Sequence, residues 1–269
     1  MRILFLGDVV GRSGRDAVVA ALPGLRERLR ANLVILNGEN ASHGFGLSPD
    51  MARAFLAAGA DVITLGNHAW DRREIIPYLE EQPRVIRPLN FPPGTPGRGA
   101  VEVALPDGRK ALVMQAMGRL FMDPLDDPFR AVQAELARHR LGVTLQAAVL
   151  DIHAEATSEK QAIAHSFDGM LSLVVGTHTH VPTADHRILP GGTAFQTDAG
   201  MCGDYDSVIG MGKTGAAMRF WKKMPGERLA PAEGPATICG LFVETSDATG
   251  LALSVRAVRQ GGGLEECLP

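Results

Sequence analysis

The stretch Asp61–Asp71, which reads DVITLGNHAWD, decides the fold prediction for this chain. Its apolar part has the length and composition of a buried strand, and a Gly-Asn-His sequence follows at once. Four further apolar runs end in residues that can bind a metal ion: ILFLGD at Asp8, LVILNGE at Glu39, AAVLDIH at His153, and LVVGTHTH at His178 and His180. The chain therefore repeats one arrangement, a buried strand with a metal-competent side chain at its carboxyl end.

Helical patterns lie between these strands. Ala17–Leu29 has apolar residues at helical spacing, and Pro23 is expected to kink or break that helix. Ser48-Pro49-Asp50 supplies an N-cap, a proline at the first helical position and an acidic first turn, and this helix should end near Gly59. Three more helices are predicted over residues 72–81, 128–138 and 158–167. The alternation predicts right-handed crossovers and a largely parallel sheet.

The later part of the chain has a different pattern. Residues 91–99 form a Pro/Gly-rich loop, but a predicted hairpin (strands 99–105 and 110–117) follows directly. We therefore interpret the loop as a connection inside a single domain covering residues 1–269. After His186, short strands alternate with Gly-rich turns, which predicts an antiparallel sheet packed against the first. These strands are expected at 187–189, 193–197, 237–245 and 251–258.

Composition narrows the class of protein. The 269 residues are 45% hydrophobic and 21% charged, which is typical of a soluble α/β domain. No apolar run approaches the length of a membrane span, so no membrane association is expected. A net charge of −3 argues against a broad nucleic-acid-binding surface. A small nucleotide held by metal ions remains compatible, because the ions would provide the positive charge.

Cysteine usage and the N-terminus predict a cytoplasmic location. The three cysteines, Cys202, Cys239 and Cys267, are widely spaced and do not form the pattern of a disulfide framework. The chain enters its first strand directly after Arg2, without the apolar region and cleavage site of a signal peptide.

In open α/β sheets, ligands bind outside the carboxyl ends of the strands. Taken singly, each candidate has an ordinary structural explanation, such as a helix cap for Asp8 or a turn for Asn67. Their joint placement is harder to explain in that way. The candidates at strand ends are Asp8, Glu39, Asn40, Asn67, His68, His153, His178 and His180.

The pair His178 and His180 flanks Thr179 at the end of a predicted strand. Residues two apart share one face of a strand, so both imidazoles can turn inward and each bind one metal ion. The alternative is two solvated loop histidines. A mixture of carboxylate, amide oxygen and imidazole suits Mn, Fe or Zn better than Mg or Ca.

Other polar residues have more modest interpretations. Asp185 and Asp206 are candidates for orienting the metal-binding imidazoles. Thr157 or Ser158 is expected to cap the helix that follows His153.

The order of these motifs resembles the calcineurin-like metallophosphoesterase superfamily. The fuller strings resemble, over nearly the whole chain, the bacterial YmdB-like family of 2′,3′-cyclic nucleotide phosphodiesterases: GDVVG, NGENASHGFG, GNHAWD, DIHAEATSEK, GTHTHVPTAD and GMCGDYDSVIG. The resemblance implies an α/β fold, a four-layer sandwich of two mixed β-sheets flanked by helices, with two metal ions in one cleft.

The resemblance also implies roles for individual residues. Asp8 and His180 would bind the first metal ion, Glu39 would bridge both ions, and His68 would be the general acid. Asn67, His153 and His178 would complete the second ion's ligands.

One departure from the superfamily pattern concerns the first motif. The wider superfamily has Asp-x-His there, whereas this chain has Asp8-Val9-Val10. We predict that Asn40 replaces the missing ligand, and the alternative is an asparagine that only stabilises a turn.

The expected function is that of a dinuclear phosphodiesterase. Two ions, Fe or Mn with Zn as the alternative, would lie roughly 3.5–4 Å apart and share a hydroxide that attacks phosphorus. The resemblance implies that 2′,3′-cyclic nucleotides are converted to 3′-nucleotides. Other small phosphodiesters and RNA ends are further substrates to consider, and a homo-oligomer is expected. Two alternatives stay open: a regulatory protein that binds metal and nucleotide or RNA with little relevant turnover, and a hydrolase acting on amides or lactones.

Overall fold

Two β-sheets lie face to face and carry helices on their outer surfaces. The computed structural model describes residues 1–223 and 228–269. The strands are β1 (Arg2–Leu6), β2 (Asp8–Val9), β3 (Leu33–Asn37), β4 (Val62–Thr64), β5 (Val85–Ile86), β6 (Ala100–Ala104), β7 (Lys110–Met117), β8 (Ala147–His153), β9 (Leu173–Thr177), β10 (Arg187–Ile188), β11 (Ala194–Gln196), β12 (Met201–Asp204), β13 (Ala236–Thr245) and β14 (Ala252–Gln260). The helices are α1 (Gly11–Leu29), α2 (Pro49–Ala58), α3 (Ile75–Glu81), α4 (Pro128–Leu136), α5 (Thr157–Ser166) and α6 (Lys213–Lys222).

Both sheets are mixed. The first has the strand order β2-β12-β13-β1-β3-β4-β5. Strand β14 pairs with β13 along the edge opposite to β1. Its strands β1, β3, β4 and β5 run parallel, whereas β13 is antiparallel to β1. The second has the order β10-β11-β9-β8-β7-β6, with parallel pairing from β11 to β7 and antiparallel hairpins at both edges. The predicted sandwich of two mixed sheets flanked by helices is confirmed.

The prediction of a separate antiparallel sheet after His186 is wrong. Strands β10 and β11 extend the second sheet, and β11 runs parallel to β9. Strands β13 and β14 complete the first sheet, where β13 covers the edge of β1. Alternation along a strand predicts which side chains face the core, but it does not specify the neighbour with which the strand pairs.

The apolar runs are continuous because both faces of each central strand are buried. Ile3 and Phe5 face the second sheet, where they join a cluster with Val149 and Val175. Their neighbours Leu4 and Leu6 point the other way, into a cluster that includes the buried residues of α1 and α2. The bodies of the strands are therefore mostly apolar, and polar groups concentrate towards their ends.

The helices differ from the predictions mainly at their starts. α1 begins at Gly11, before the predicted Ala17, and continues through Pro23. α2 has the expected cap, because the Ser48 hydroxyl accepts a hydrogen bond from the Met51 amide at 3.3 Å. α5 begins after Ala156 without a side-chain cap, so the predicted cap by Thr157 or Ser158 is wrong.

Helix α6 lies in the long connection between β12 and β13 and was not predicted. Phe220 and Trp221 on this helix are 79% and 84% exposed. Within residues 1–223 and 228–269, no helix combines the length and apolarity needed to cross a bilayer.

Candidate metal centre

The candidate residues gather where strands from both sheets end. Glu39 lies two residues beyond β3, and Asn67 lies in the turn after β4, both in the first sheet. His153 is the last residue of β8, and His178 follows β9, both in the second sheet. The fold thus brings together side chains that are more than one hundred positions apart in sequence.

The Gly-Asn-His turn requires its glycine. A Cβ atom on Gly66 would lie 2.3 Å from Glu39 Oε2 and 2.5 Å from His153 Nε2. Such distances are shorter than any van der Waals contact, so a side chain here would push these two residues apart. The glycine lets the backbone pass close enough for Asn67 to reach the same point.

One half of the centre is a cluster around His153. The Nε2 atom of this fully buried imidazole lies 2.8 Å from Asn67 Oδ1, 3.1 Å from Glu39 Oε1 and 3.1 Å from His178 Nδ1. Potential ligand atoms of Glu39, His153 and His178 all lie within 4.8 Å of one another. Carboxylate oxygen, amide oxygen and two imidazole nitrogens therefore point at a single small volume.

The other half surrounds Asp8. Its Oδ1 lies 3.9 Å from His153 Nδ1 and 3.9 Å from His180 Nε2, while its Oδ2 accepts a hydrogen bond from the His178 amide at 3.2 Å. Asp8 Oδ1 is buried, and no hydrogen bond to it forms within the described chain. A buried acceptor without a partner costs about 1–3 kcal/mol, so this oxygen is suited to a cation.

Asn40 has features of both interpretations given above. Its Nδ2 donates to the Gly44 carbonyl at 3.0 Å, which is the behaviour of a turn asparagine. Its Oδ1 is buried and, within the described chain, accepts no hydrogen bond, which is the property expected of a metal ligand. The hydrogen bond fixes the amide and leaves the oxygen available.

His178 and His180 both have left-handed backbone conformations, with φ of 93° and 64°. Such angles are uncommon for residues other than glycine, and they are found preferentially at functional sites. The His180 Nδ1 atom lies 2.8 Å from the Ile209 carbonyl, so its Nε2 is the nitrogen that faces Asp8. The two imidazoles reach the centre through turns and not along a continuing strand.

His68 is placed differently from the other histidines. Its backbone amide donates to Glu39 Oε2 at 3.0 Å, whereas its Nδ1 lies 2.8 Å from Asp71 Oδ2. The ring of Phe45 packs edge-on at 5.0 Å between centroids. The His68 side chain is 26% exposed, so its imidazole is partly accessible to solvent, whereas that of His153 is fully buried.

Comparison with known proteins decides the family. A family model described as "YmdB-like protein" matches residues 4–258. The chain belongs to the YmdB-like family. It is 44% identical over 261 residues to the 2′,3′-cyclic-nucleotide 2′-phosphodiesterase of Bacillus subtilis, and the match covers 96% of each chain.

Two crystal structures are similar to this YmdB-like protein over nearly their full lengths. A hypothetical protein from Thermus thermophilus superposes with a TM-score of 0.90 at 43% identity, covering 98% of this chain and 100% of the other. A novel phosphatase from Mycoplasma pneumoniae superposes with a TM-score of 0.89 at 32% identity, covering 97% and 93%.

The groups that orient His153 were not found by sequence reasoning. Its Nδ1 lies 2.9 Å from the Thr177 hydroxyl, which donates to Asp151 Oδ1 at 2.6 Å. Asp151 Oδ2 in turn accepts from the Thr64 hydroxyl at 2.6 Å and from Gln115 Nε2 at 3.1 Å. A signal was available, because Asp151 is a carboxylate inside an apolar run, two residues before His153 and on the same strand face.

The roles predicted for Asp185 and Asp206 are wrong. Asp185 accepts hydrogen bonds from the hydroxyls of Thr183 and Thr197 and pairs with Arg187. Asp206 forms an exposed ion pair with Lys213.

A buried ion pair fixes the loop that carries His178 and His180 in this YmdB-like protein. Lys160 Nζ lies 2.8 Å from Asp198 Oδ2 and donates to the Thr177 carbonyl at 2.7 Å. The same Asp198 oxygen accepts from the Thr179 amide at 3.1 Å and from its hydroxyl at 2.7 Å. Lys160 and Asp198 are fully buried, so this pair holds the end of β9 against α5.

Burial and mutual charge interactions shift the pKa values of four candidate ligands in different directions. Burial raises the pKa of Asp8 to about 6, although His180 and His153 act in the opposite direction. For Glu39, burial is outweighed by His153, which lowers the pKa to about 2. Burial likewise disfavours charge on His153, but Glu39 and Asp8 raise its pKa to about 9. Burial and His153 together lower the pKa of His178 to about 3. The carboxylates of Glu39 and Asp8 thus stabilise positive charge on His153, whereas the lowered pKa keeps the His178 imidazole neutral, the form that binds a metal ion.

These residues fit a transition-metal site. The donors are two carboxylates, two amide oxygens and three imidazoles, a mixture that suits Mn, Fe or Zn. An independent structural observation supports this fit: the buried Oδ1 atoms of Asp8 and Asn40 have no hydrogen-bond partner among residues 1–223 and 228–269. Each histidine also has a partner on its other nitrogen, as metal-binding histidines generally do: Thr177 for His153, Glu155 for His178 and Ile209 for His180.

Proposed function

We propose that this YmdB-like protein is a dinuclear-metal phosphodiesterase that hydrolyses 2′,3′-cyclic nucleotides to 3′-nucleotides. The observation that carries the proposal is the convergence of Glu39, Asn67, His153 and His178 on one volume at the meeting point of the two sheets. The name of the Bacillus subtilis relative supports the substrate class and the bond that is cleaved.

Two metal ions are part of this proposal. Asp8, His180 and Asn40 would hold one ion, Asn67, His153 and His178 the other, and Glu39 would bridge them. Glu39 suits a bridge because its two oxygens face different neighbours, with Oε1 directed at His153 and Oε2 at the His68 amide. We propose Fe or Mn, with Zn as the alternative.

When bound, the metal ions would polarise the phosphoryl oxygens and activate water as the nucleophile. The water would release one proton to solvent as its oxygen forms a bond to phosphorus, and the bond from phosphorus to the 2′ oxygen would break. His68 would donate the proton that the 2′ oxygen requires. Its Nδ1 is engaged by Asp71, which orients the ring and leaves Nε2 for proton transfer. The ribose keeps the leaving oxygen tethered, and a 3′-phosphate remains.

Other properties belong to the same proposal. Small phosphodiesters and RNA ends that carry a cyclic phosphate present the same bond. A single domain over residues 1–269 is supported by the apolar cluster shared between the sheets.

Three free cysteines support a cytoplasmic location. The exposed Phe220 and Trp221 support a homo-oligomer, since exposed apolar pairs are a feature of interaction surfaces.

The test is steady-state hydrolysis of adenosine 2′,3′-cyclic phosphate by purified protein with added Mn. Chromatography against authentic 2′- and 3′-adenosine monophosphate identifies the product, and amide and lactone substrates are assayed in parallel. We expect 3′-adenosine monophosphate from the wild type and from Glu81→Gln, an exposed substitution on α3, and none from Glu39→Gln. Metal-loaded protein without turnover of any substrate would support the alternative of a regulatory protein that binds metal and nucleotide. Turnover of amides or lactones alone would support the alternative of an amide or lactone hydrolase.

A further inference from the structure

A cavity of about 400 Å³ lies directly beside His68. Its lining residues are Phe45, Asp71, Arg72, Arg219, Arg228 and Leu229. Two of them contact His68: Phe45 packs on its ring, and Asp71 Oδ2 lies 2.8 Å from its Nδ1. Phe45 and Asp71 therefore form both a wall of this cavity and the immediate surroundings of the His68 imidazole.

The cavity is strongly basic although the whole chain carries a net charge of −3. Among the described residues that line it, three carry guanidinium groups and only Asp71 carries a carboxylate, which is already engaged by His68. Among residues 1–223 and 228–269, no carboxylate forms an ion pair with Arg72 or Arg228. Positive charge on these two residues, beside a phosphodiester site, suits a second anionic group.

Arg72 is held in place and still has donor capacity. Its Nη2 donates to the Ser42 carbonyl at 3.2 Å and lies 3.2 Å from His43 Nδ1. Its Nε is buried and, within the described chain, donates to no acceptor. A planar guanidinium that is fixed at one end, with an unused N–H, is suited to phosphate recognition.

We propose that this arginine cavity binds a second phosphate, carried on the 5′ oxygen of the nucleotide whose 2′,3′-cyclic phosphate meets the metal centre. The inference rests on the function proposed above. A nucleoside 2′,3′-cyclic phosphate with a free 5′ hydroxyl would leave Arg72 and Arg228 without an anion. The substrate class is therefore a ribonucleotide phosphorylated at both positions. Such a 5′ phosphate can belong to a mononucleotide or to the chain of an oligoribonucleotide.

The experiment compares kcat/KM for three substrates: adenosine 2′,3′-cyclic phosphate, its 5′-phosphorylated form, and a diribonucleotide that ends in a 2′,3′-cyclic phosphate. We expect a preference of about tenfold or more for 5′-phosphorylated substrate, the size of one hydrogen-bonded charge contact. Arg228→Ala should reduce that preference, and Arg228→Lys should retain part of it. Arg84→Ala, in the turn before β5 and outside the cavity, should keep it.

The two phosphorylated substrates distinguish whether the 5′ phosphate comes from a mononucleotide or from an RNA chain. Enhanced turnover of the diribonucleotide supports a cavity that is open to an RNA chain, and enhancement restricted to the 5′-monophosphate supports one that is closed to it. Equal kcat/KM for all three substrates would overturn the inference while leaving the phosphodiesterase function intact. An undiminished preference in both Arg228→Ala and Arg72→Ala would also overturn it.

A binding measurement keeps the inference testable if no substrate is turned over. Equilibrium dialysis with adenosine 5′-monophosphate, and with adenosine as the matched uncharged ligand, is independent of catalysis. Tighter binding of the monophosphate to the wild type than to Arg228→Ala supports the cavity even if the proposed function fails. Equal binding to both proteins would contradict it.

Discussion

The two halves of the candidate metal centre differ in how their donor atoms are engaged. Around His153, donor atoms lie 2.8 to 3.1 Å from one another. Around Asp8, the corresponding distances are 3.9 Å, and the buried Oδ1 atoms of Asp8 and Asn40 have no hydrogen-bond partner within the described chain. The donor atoms of the first half thus already lie within hydrogen-bond distance of one another. The Oδ1 oxygens of the second half have no such partners within the described residues, so they depend more on a metal ion.

Removing the group shared by both halves should have the largest effect. We expect Glu39→Ala to abolish turnover and the binding of at least one metal ion, because a single carboxylate would span both ions and offset their repulsion. Metal analysis of the purified variant is the measurement. Glu39→Asp is the matched variant and should retain some activity. Two retained metal ions per chain in Glu39→Ala would show that Glu39 is not a bridge.

His68 lies outside both halves, and its variant should separate chemistry from metal binding. We expect His68→Ala to keep its metal ions and to lose turnover by about 10²- to 10⁴-fold, the range of a general acid. A nitrophenyl ester should be affected less, because its leaving group needs no proton. Loss of metal from this variant would instead place the His68 side chain among the ligands.

The Asp8 half can be tested on its own through Asn40. We expect Asn40→Ala to weaken Mn binding at one site by about 100-fold. This is the upper end of the range for losing a group that hydrogen-bonds a metal ligand, and Asn40 would itself be a ligand. The other site should stay filled. Titration of the metal-free variant with Mn is the measurement, and Asn40→His should shift preference towards Zn. Two sites of unchanged affinity would favour the turn interpretation of Asn40.

The His153 half should tolerate loss of an orienting group better. We expect Thr177→Val to weaken metal binding by about tenfold, the lower end of the range for such partners. His153 keeps its contacts with Glu39 and Asn67, which limits the loss. Thr177→Ser retains the hydroxyl and serves as the control. If Thr177→Val loses as much metal affinity as Asn40→Ala, the two halves do not differ in how strongly metal binding depends on a single residue.

The sequence predicted the parts of the fold that depend on local pattern. Runs such as Leu33–Asn37 are apolar throughout because both faces of the strand are buried, and this is visible without a structure. The Ser48 cap was predictable because a capping side chain bonds an amide only a few residues away. The placement of β13 and β14 was not, because strand pairing is set by long-range packing.

In the candidate site too, some residues were predictable from the sequence and others were recognised only from the structure. Residue type and position at a strand end were enough to single out Glu39, Asn67, His153 and His178, since the carboxyl ends of parallel strands meet at one edge. Thr177 and Lys160 were missed, because a threonine in a strand and a lysine near a helix start have many ordinary roles. Their importance comes from contacts with Asp151 and Asp198 that join separate strands and loops.

By itself, then, the sequence determined the alternation of buried strands and helices and the identity of the metal-competent side chains, because both are properties of short segments. Three features came from the tertiary fold alone: the meeting of the two sheets at His153, the buried oxygens of Asp8 and Asn40 that have no hydrogen-bond partner among the described residues, and the placement of Arg72, Arg219 and Arg228 around one cavity beside His68. Those features depend on distances between segments far apart in the chain, which are fixed when the shared apolar core forms and not by any local pattern.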